Sequence, residues 1–368
     1  MVRRKLLIIG ALLAAALCVR AAAAEILIGM AAPMTDATNA WFGEQVEHGA
    51  ALAVADINAA GGVLGQQVRL ITVDDYCDPE QAVAAAKKLV SEGVVFVVGH
   101  FCSHSSIPAS EVYAKAGVLM MSPGSSNPML TELGRANVFR FLHRDDALGI
   151  VAAKYIAEHW PDKKIAIVHD NTVFGKGVAD LTKEQLNRRG VTEALYKAYV
   201  PGKRDYAAEV DELQAADVGV VFVGGYIAEV ALMARAAGDR GYPLQLVTGM
   251  SLATEEFGLI AGSAAEGALF LDVADARRRP EAGPVVERFR ASGFEPEGFT
   301  LYAYGIVQVW AQAAEKAGSL EPQAMIESLR KHQFDTVVGP IDFDEKGDLA
   351  VQNLVWYVWR GGTYMPLE

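Results

Sequence analysis

Short apolar runs alternate along most of this chain with longer segments in which apolar residues recur at helical spacing. The short runs predict strands at 25–30, 67–74, 94–99, 118–122, 164–169, 193–199, 218–224, 244–248 and 268–273. The longer segments predict helices at 44–59, 78–91, 105–116, 145–159, 175–189, 205–215, 228–237 and 300–317. Strands that alternate with helices in this way indicate an α/β fold with parallel sheets covered by helices on both faces.

The first 24 residues differ from this pattern and resemble a secretory leader. Arg3, Arg4 and Lys5 precede an apolar run that is too short to span a bilayer comfortably, and the small residues before Glu25 offer a cleavage site near Ala24. A permanent N-terminal anchor is one alternative. A lipoprotein is another, because Cys18 follows the apolar run, although Leu17 stands where a small residue is expected before a lipidated cysteine. We expect export to the periplasm and no membrane insertion after processing.

Length and charge narrow the classes of protein and partner. Removal of the leader deletes four basic side chains and no acidic one, so the net charge moves from −12 to −16. Such an acidic chain is a poor candidate for binding nucleic acid or an anionic membrane. The remaining length exceeds one comfortable hydrophobic core, which predicts two domains. An anion site in this protein must therefore be built from local dipoles.

Two strand-to-helix loops carry the clearest candidate chemistry. The loops Gly99–Ser103 and Ser122–Ser126 each follow an apolar strand and each present hydroxyls and backbone N–H groups. Ligands bind at the carboxyl ends of strands in open α/β sheets, and N–H groups near a helix start favour an anion. The two serines that end the loops, Ser103 and Ser126, are equally suited to cap helices. Because the loops follow neighbouring strands, we expect them to capture a small carboxylate together.

Aromatic residues follow other predicted strand ends. Trp41 and Phe42 lie in the first loop, Phe174 follows the strand that ends at 169, and Tyr226 follows the strand that ends at 224. Each aromatic residue alone is typical of ordinary packing. Together they are suited to the apolar walls of a ligand pocket, which needs only a few polar anchors.

Motifs for catalysis, metals and cofactors are incomplete. His100, Cys102 and His104 resemble part of a zinc site, but no second ligand cluster accompanies them. The segment Gly249–Ala253 resembles a nucleophile elbow without its final glycine, and Gly175–Asp180 lacks the third glycine of a dinucleotide fingerprint. We therefore expect no enzyme activity, no metal and no cofactor.

Two cysteines remain after the leader, Cys77 and Cys102. An even number of cysteines in an oxidising compartment favours a disulfide. Their spacing along the chain does not establish that their Cα atoms lie close enough to be bridged.

Several segments together resemble the periplasmic leucine/isoleucine/valine-binding proteins of ABC transporters, a group of type I periplasmic binding proteins. The resemblance covers essentially the whole mature chain. It is carried by 53–62 (AVADINAAGG), 74–79 (DDYCDP), the loop Gly99–Ser103, 165–170 (IAIVHD) and 339–348 (GPIDFDEKGD).

This resemblance implies two doubly wound parallel-sheet lobes joined by three crossings, with the ligand in the cleft between them and hinge closure on binding. The implied lobes are 25–143 with 274–345, and 144–273 with 346–368. The resemblance also implies a Cys77–Cys102 disulfide and delivery of the ligand to an inner-membrane ABC permease. We expect a monomer.

Residue by residue, the resemblance places the ligand carboxylate on Ser103 and Ser126. The backbone that lines the site would come from Phe101, Cys102, Gly124 and Ser125. Tyr226 matches the family pattern directly, whereas Phe42 and Phe174 stand where amino-acid binders often have tyrosine.

One residue departs from the family pattern. Members that bind α-amino acids place an acid in the loop after the strand 244–248, where it pairs with the ligand ammonium, and here Met250 stands at that position. A thioether cannot neutralise a buried cation. One hypothesis is therefore a ligand that lacks an α-ammonium, such as an aromatic acid or a keto acid. In the alternative the loop is shifted, Glu255 or Glu256 supplies the acid, and the ligand is a branched-chain or aliphatic amino acid.

Two functions are consistent with this predicted fold and binding site. We expect the substrate-binding component of an ABC importer, which works by opening and closing about a hinge. A sensor that presents its ligand to a chemoreceptor or kinase would use the same site, and the sequence does not separate the two.

Overall fold

The computed structural model describes residues 25–36 and 39–367. The predicted leader, with Cys18 and the cleavage site near Ala24, lies outside these described residues. Within them, the helices are all too short or too polar to cross a membrane.

The first lobe is built on a five-stranded sheet in which all neighbouring strands are parallel, in the order β2-β1-β3-β4-β5. Its strands are β1 Ile26–Ala32, β2 Val68–Asp74, β3 Phe96–Gly99, β4 Leu119–Ser122 and β5 Val138–Arg140. Its helices are α1 Ala40–Ala59, α2 Pro79–Ser91, α3 Ser103–Ala116 and α4 Met129–Glu132. Every residue of β3 and β4 is buried, as expected for strands covered on both faces.

The second lobe is built on a seven-stranded sheet in the order β14-β13-β10-β9-β8-β6-β7. Its strands are β6 Lys164–His169, β7 Leu195–Ala198, β8 Val218–Gly224, β9 Gln245–Thr248, β10 Leu269–Val273, β13 Leu354–Arg360 and β14 Thr363–Pro366. Its helices are α5 Asp145–His159, α6 Val173–Arg188, α7 Ala207–Ala215, α8 Ile227–Asp239 and α9 Glu255–Ala261. Strands β6 to β10 are parallel neighbours, which confirms the predicted doubly wound plan.

The last two strands of this lobe depart from that plan. Strand β13 pairs antiparallel with both β10 and β14. Gly361 and Gly362 form the connection between β13 and β14, and both have positive φ. A connection of two residues joins strands only as an antiparallel hairpin, so β13 and β14 could not both extend the parallel order.

The chain between β10 and β13 returns to the first lobe. It forms α10 Gly283–Ala291, α11 Thr300–Ala317, α12 Pro322–Lys331 and a small antiparallel pair, β11 Phe334–Thr336 with β12 Gly339–Ile341. Helix α11 packs closely on α1, because a Cβ atom on Gly49 would lie 2.1 Å from the Thr300 carbonyl oxygen. The Tyr304 hydroxyl of α11 donates to Asp56 of α1 over 2.6 Å.

A buried ion pair joins β5 to the loop before β13. The fully buried guanidinium of Arg140 donates through Nε to Asp348 Oδ1 over 2.7 Å, and Arg144 Nη1 donates to Asp348 Oδ2 over 2.6 Å. Burial alone would raise the pKa of Asp348, but the charges of Arg140 and Arg144 outweigh it and lower this pKa below its ordinary value. The pair therefore stabilises the fold whenever Asp348 is ionised.

We predict that Asp348→Asn lowers the free energy of unfolding by about 3–5 kcal/mol, because it removes the carboxylate that is paired with the buried guanidinium of Arg140. Urea denaturation at pH 7 measures this change. The matched control is Glu345→Gln, which removes an exposed carboxylate from the same loop and should change stability by under about 0.5 kcal/mol.

The lowered pKa of Asp348 also predicts how the effect of this substitution on stability depends on pH. The contribution of Asp348 is present above its unfolded pKa of about 3.9 and is lost as the pH falls through the lower folded value. The difference between wild type and Asp348→Asn should accordingly shrink below about pH 4. A difference that stayed constant down to pH 2 would contradict this assignment.

Candidate functional site

The first candidate loop places Ser103 at the N-terminus of α3. Strand β3 ends at Gly99, and Cys102 adopts extended backbone as the residue that precedes the helix. The Ser103 side chain is buried, and its Oγ accepts the Asn127 N–H over 3.3 Å. Among the described residues, its own hydroxyl proton and its backbone N–H have no acceptor, and they lie at the positive end of a helix of 14 residues.

The second candidate loop is held from behind by Arg140. The Arg140 Nη1 group donates to the carbonyls of Ser125 and Asn127, at 2.8 Å each. These carbonyls are thereby turned toward the guanidinium. The N–H of the buried Ser126, in the described part of the chain, has no hydrogen-bond acceptor in the protein.

The two loops are bonded to each other because β3 and β4 are neighbours in the sheet. The Ser122 hydroxyl donates to the His100 carbonyl over 2.6 Å and accepts the Ser125 N–H over 2.9 Å. The Ser125 hydroxyl in turn donates to the Phe101 carbonyl over 2.9 Å. Their spacing is therefore set by the fold before any ligand arrives.

Aromatic rings from both lobes meet beside these loops. Phe42 of α1 stacks on Phe101 with ring centroids 4.4 Å apart, and it lies 6.1 Å from Tyr226 of the second lobe. Tyr226 in turn lies 5.3 Å from Phe174, in the first turn of α6. The buried Tyr226 hydroxyl has no hydrogen-bond partner among the described residues.

A small, partly open cavity between the lobes has the two loops in its walls. Seven of the predicted site residues line it: Phe101, Ser103, Gly124, Ser126, Phe174, Tyr226 and Met250. Gly124 has a steric reason to be glycine, because a Cβ atom there would lie 2.4 Å from the Phe101 ring.

Four other predicted residues do not line this cavity. Phe42 supports Phe101 from behind, and Trp41 belongs to the same first turn of α1. The Ser125 hydroxyl is used within the loop, and the Cys102 sulfur is bonded to Cys77. Of these four, Phe42 contacts aromatic rings of both lobes that line the cavity, namely Phe101 and Tyr226.

Sequence reasoning missed six residues that line the cavity: Leu142, His143, Gly249, Ser251, Asp272 and Phe299. Leu142 and His143 follow β5, which has only three residues and was not predicted. Asp272 gave a usable signal, because it is an acid within the otherwise apolar predicted strand 268–273.

Among the described residues, the side chains that line this cavity include no cation at pH 7. Burial, together with the charge of Arg140, lowers the pKa of His143 to about 4, so its imidazole is neutral at pH 7. Burial raises the pKa of Asp145 to about 7, and Ser126 and Arg140 act in the opposite direction. An anion in this cavity would therefore be bound by hydroxyls and backbone N–H groups.

The structure also tests whether Glu255 or Glu256 reaches the cavity in place of an acid at position 250. Met250 lines the cavity, and its N–H donates to Thr248 Oγ1 over 3.1 Å. Glu255 and Glu256 both lie in the first turn of α9, where acids favour the helix dipole, and neither lines the cavity. A shifted loop that brings either glutamate to the ligand is not the arrangement seen.

Cys77 and Cys102 form the predicted disulfide, with Cα atoms 5.6 Å apart. Their sulfurs and His104 are close enough together to suggest a metal site. Sulfurs joined in a disulfide are not thiolates, however, and a thiolate is the form of cysteine that binds metals. This cluster therefore gives no support for a metal ion.

Comparison with known proteins places the chain among binding proteins. Residues 25–363 match the family described as periplasmic binding protein. The chain is 43% identical over 362 residues to a Leu/Ile/Val-binding protein homolog 1 of Brucella melitensis, covering 98% of this chain and 97% of that protein. It is 43% identical over 350 residues to an amino acid binding protein of Pseudomonas aeruginosa, covering 94% and 93%.

A solved structure supports the same relationship. The branched-chain amino acid transporter substrate binding protein LivJ from Streptococcus pneumoniae, in complex with isoleucine, superposes with a TM-score of 0.84 at 25% identity. The match covers 94% of this chain and 100% of that chain. The fold and the family resemblance inferred from the sequence are thereby confirmed.

We predict that His143 titrates with a midpoint near pH 4, because its buried ring is desolvated and lies near Arg140. Imidazole ¹⁵N chemical shifts followed by NMR from pH 3.5 to 8 measure this midpoint. The His143→Asn variant identifies the signal by its loss. A midpoint at or above pH 6 would place a partial positive charge in the cavity and would contradict the neutral anion site described above.

Proposed function

The chain belongs to the periplasmic binding protein family, and we propose that it is the substrate-binding component of an amino-acid-type ABC importer. In this proposal the importer is of the branched-chain amino acid type, and the protein captures a small carboxylate ligand in the cleft and delivers it to an inner-membrane permease. The names of its relatives support amino acid transport, including branched-chain amino acids. They favour transport over the sensor alternative, and the expected location is the periplasm.

One observation carries the proposal at the level of the site. Each of two bonded loops offers a buried serine side chain, Ser103 or Ser126, and a backbone N–H that has no acceptor in the protein within the described residues. Buried donors are nearly always hydrogen-bonded, so these donors are suited to a bound acceptor. A carboxylate has two oxygens, and one oxygen facing each loop would regain the hydrogen bonds that it loses on leaving water.

Contacts between the lobes support a mechanism of closure around the ligand. Asn127 of the first lobe donates through Nδ2 to the Val173 carbonyl of α6 over 3.0 Å. Gly177, one turn further along α6, would place a Cβ atom only 2.5 Å from the same Nδ2. The lobes are thus in contact in this structure, and we take the predicted ranges 25–143 with 274–345 and 144–273 with 346–368 as the two bodies that move.

Calorimetric titration of the mature, ligand-stripped protein tests the proposed function. The probes are L-leucine, L-phenylalanine, their keto acids and benzoate, all of which carry a carboxylate. Binding of at least one probe at micromolar or lower Kd supports a carboxylate-binding site. An absence of binding by all five, with the protein folded by circular dichroism, would overturn the proposal. Loss of uptake of the bound probe on deletion of the gene tests delivery to a transporter.

We predict that Ser103→Ala and Ser126→Ala each weaken binding of the best probe by about 10- to 150-fold, because each removes one hydrogen bond to a charged group. Titration calorimetry measures both variants. The control is Ser91→Ala, at an exposed serine whose hydroxyl bonds only within α2. If both site variants kept wild-type affinity, the two loops would not be the carboxylate site.

We also predict that Gly177→Leu weakens binding by at least about tenfold without lowering the melting temperature of the ligand-free protein. A leucine side chain at this position clashes with Asn127 only when the lobes are closed, and leucine is a better helix former than glycine. Small-angle scattering with and without the probe should show that compaction is reduced. The control is Lys176→Leu, on the exposed side of α6. Unchanged affinity and compaction in Gly177→Leu would contradict closure at this contact.

A further inference from the structure

Asp272 is the acidic side chain in the cavity that the carboxylate site does not use. It lies near the end of β10 and lines the same space as Ser103 and Ser126. Ser251, in the loop after β9, donates its hydroxyl to Asp272 Oδ2, and the Val273 N–H donates to Oδ1 over 2.7 Å. Two donors fix the orientation of the carboxylate and leave other lone pairs free.

The described residues provide no cation that compensates this carboxylate. Among them, Asp272 has no lysine, arginine or histidine at ion-pair distance, and the charged group that affects its pKa is the acidic Asp275. Tyr302 and Tyr357 are the other titratable groups that sense its charge, and both are neutral phenols at pH 7. Burial raises the pKa of Asp272 to about 6, with Ser251 and the Val273 N–H acting in the opposite direction.

Asp272 is half-buried, and a partly desolvated carboxylate without a counter-ion is unfavourable. The Ser251 hydroxyl orients the Asp272 carboxylate by a hydrogen bond and does not neutralise its charge. The cavity thus has hydrogen-bond donors on the first lobe and an uncompensated acid on the second. A ligand with a carboxylate and an ammonium is complementary to both.

We propose that Asp272, oriented by Ser251, binds the ammonium group of the ligand and takes the place of an acid at residue 250. This inference rests on the proposed function, and it specifies the substrate class as amino acids instead of carboxylates that lack an ammonium. Met250 then contributes apolar wall to the side-chain pocket. The hypothesis of an ammonium-free ligand, which followed from Met250 alone, is replaced by one that uses the acid on the neighbouring strand.

Asp145 is a fully buried acid near the cavity, and it is less suited to this role. It lies at the start of α5, its N–H donates to the Ser126 carbonyl, and it senses the charge of Arg140. It is therefore on the carboxylate side of the site and already has a cation nearby. It does not line the cavity, whereas Asp272 does.

The test pairs each amino acid with the same skeleton lacking the amino group. L-leucine is compared with 4-methyl-2-oxopentanoate and L-phenylalanine with phenylpyruvate, and benzoate is a fifth probe, all by titration calorimetry at pH 7.5. We expect the wild type to bind an amino acid at least about 30-fold more tightly than its keto acid. Asp272→Asn should weaken the amino acid by about 30-fold or more and leave the affinity for the keto acid unchanged or improved.

The matched control is Glu256→Gln, which removes another half-buried acid of raised pKa from the same lobe, outside the cavity. It should leave amino acid affinity within about twofold of wild type. The keto acid readout also shows whether the cleft of Asp272→Asn is intact, because its binding requires the same serine loops.

The outcomes separate this inference from the proposed function. Wild-type amino acid affinity in Asp272→Asn would overturn the role of Asp272 and leave the transport function standing. Preference of the wild type for a keto acid or benzoate would overturn the amino acid substrate class and still support a carboxylate-binding protein. An absence of binding by all five probes would overturn both.

Discussion

The geometry of the site depends on one buried cation, Arg140. Its guanidinium is fully buried, and a charge there is tolerated only because Asp348 and the carbonyls of Ser125 and Asn127 surround it. The same hydrogen bonds orient the Ser125 and Asn127 carbonyls of the second loop toward the Arg140 guanidinium. The Ser126 N–H is therefore free of competition from its own backbone. The cost of burying this ion is offset by acceptors that also shape the anion site.

This arrangement explains how a strongly acidic protein offers a site for an anion. The first loop is fixed by a buried network in which His100 Nδ1 contacts Asp75 over 2.6 Å and His100 Nε2 contacts the Tyr113 hydroxyl over 3.0 Å. The His100 carbonyl then accepts the hydroxyls of Ser106 and Ser122, which joins the two loops. Among the described residues that line the proposed site no side chain is cationic at pH 7, so recognition of a carboxylate there would rest on preorganised dipoles and not on the net charge of the surface.

The regular elements of the fold were predictable because their signals are local. Helices α5 and α11 and strands β6 and β8 have the predicted bounds, since each is a long periodic segment or a continuous apolar run. The elements that were missed are short or held by tertiary contacts, such as β5 and the antiparallel β13–β14 hairpin. The two candidate loops of the first lobe could be predicted because each follows the end of a strand. The residues of the second lobe that lie opposite these loops are distant from them in the sequence. The pairing of Ser251 with Asp272 joins two strand ends across 21 positions, and no local pattern in the sequence encodes it.

The distribution of charge over the two lobes connects recognition to closure. A ligand stabilises the closed state only by the interactions that it makes with both lobes at once. The hydrogen-bond donors proposed for the ligand carboxylate lie on the first lobe, and Asp272 lies on the second. A zwitterion would therefore bind the first lobe through its carboxylate and the second through its ammonium. A ligand with a carboxylate alone would contact the second lobe through Phe174, Tyr226 and Met250, and closure would bury Asp272 without a counter-charge. The same acid that attracts an amino acid would therefore oppose closure around its deaminated analogue, which makes Asp272 a discriminating group as well as a binding one.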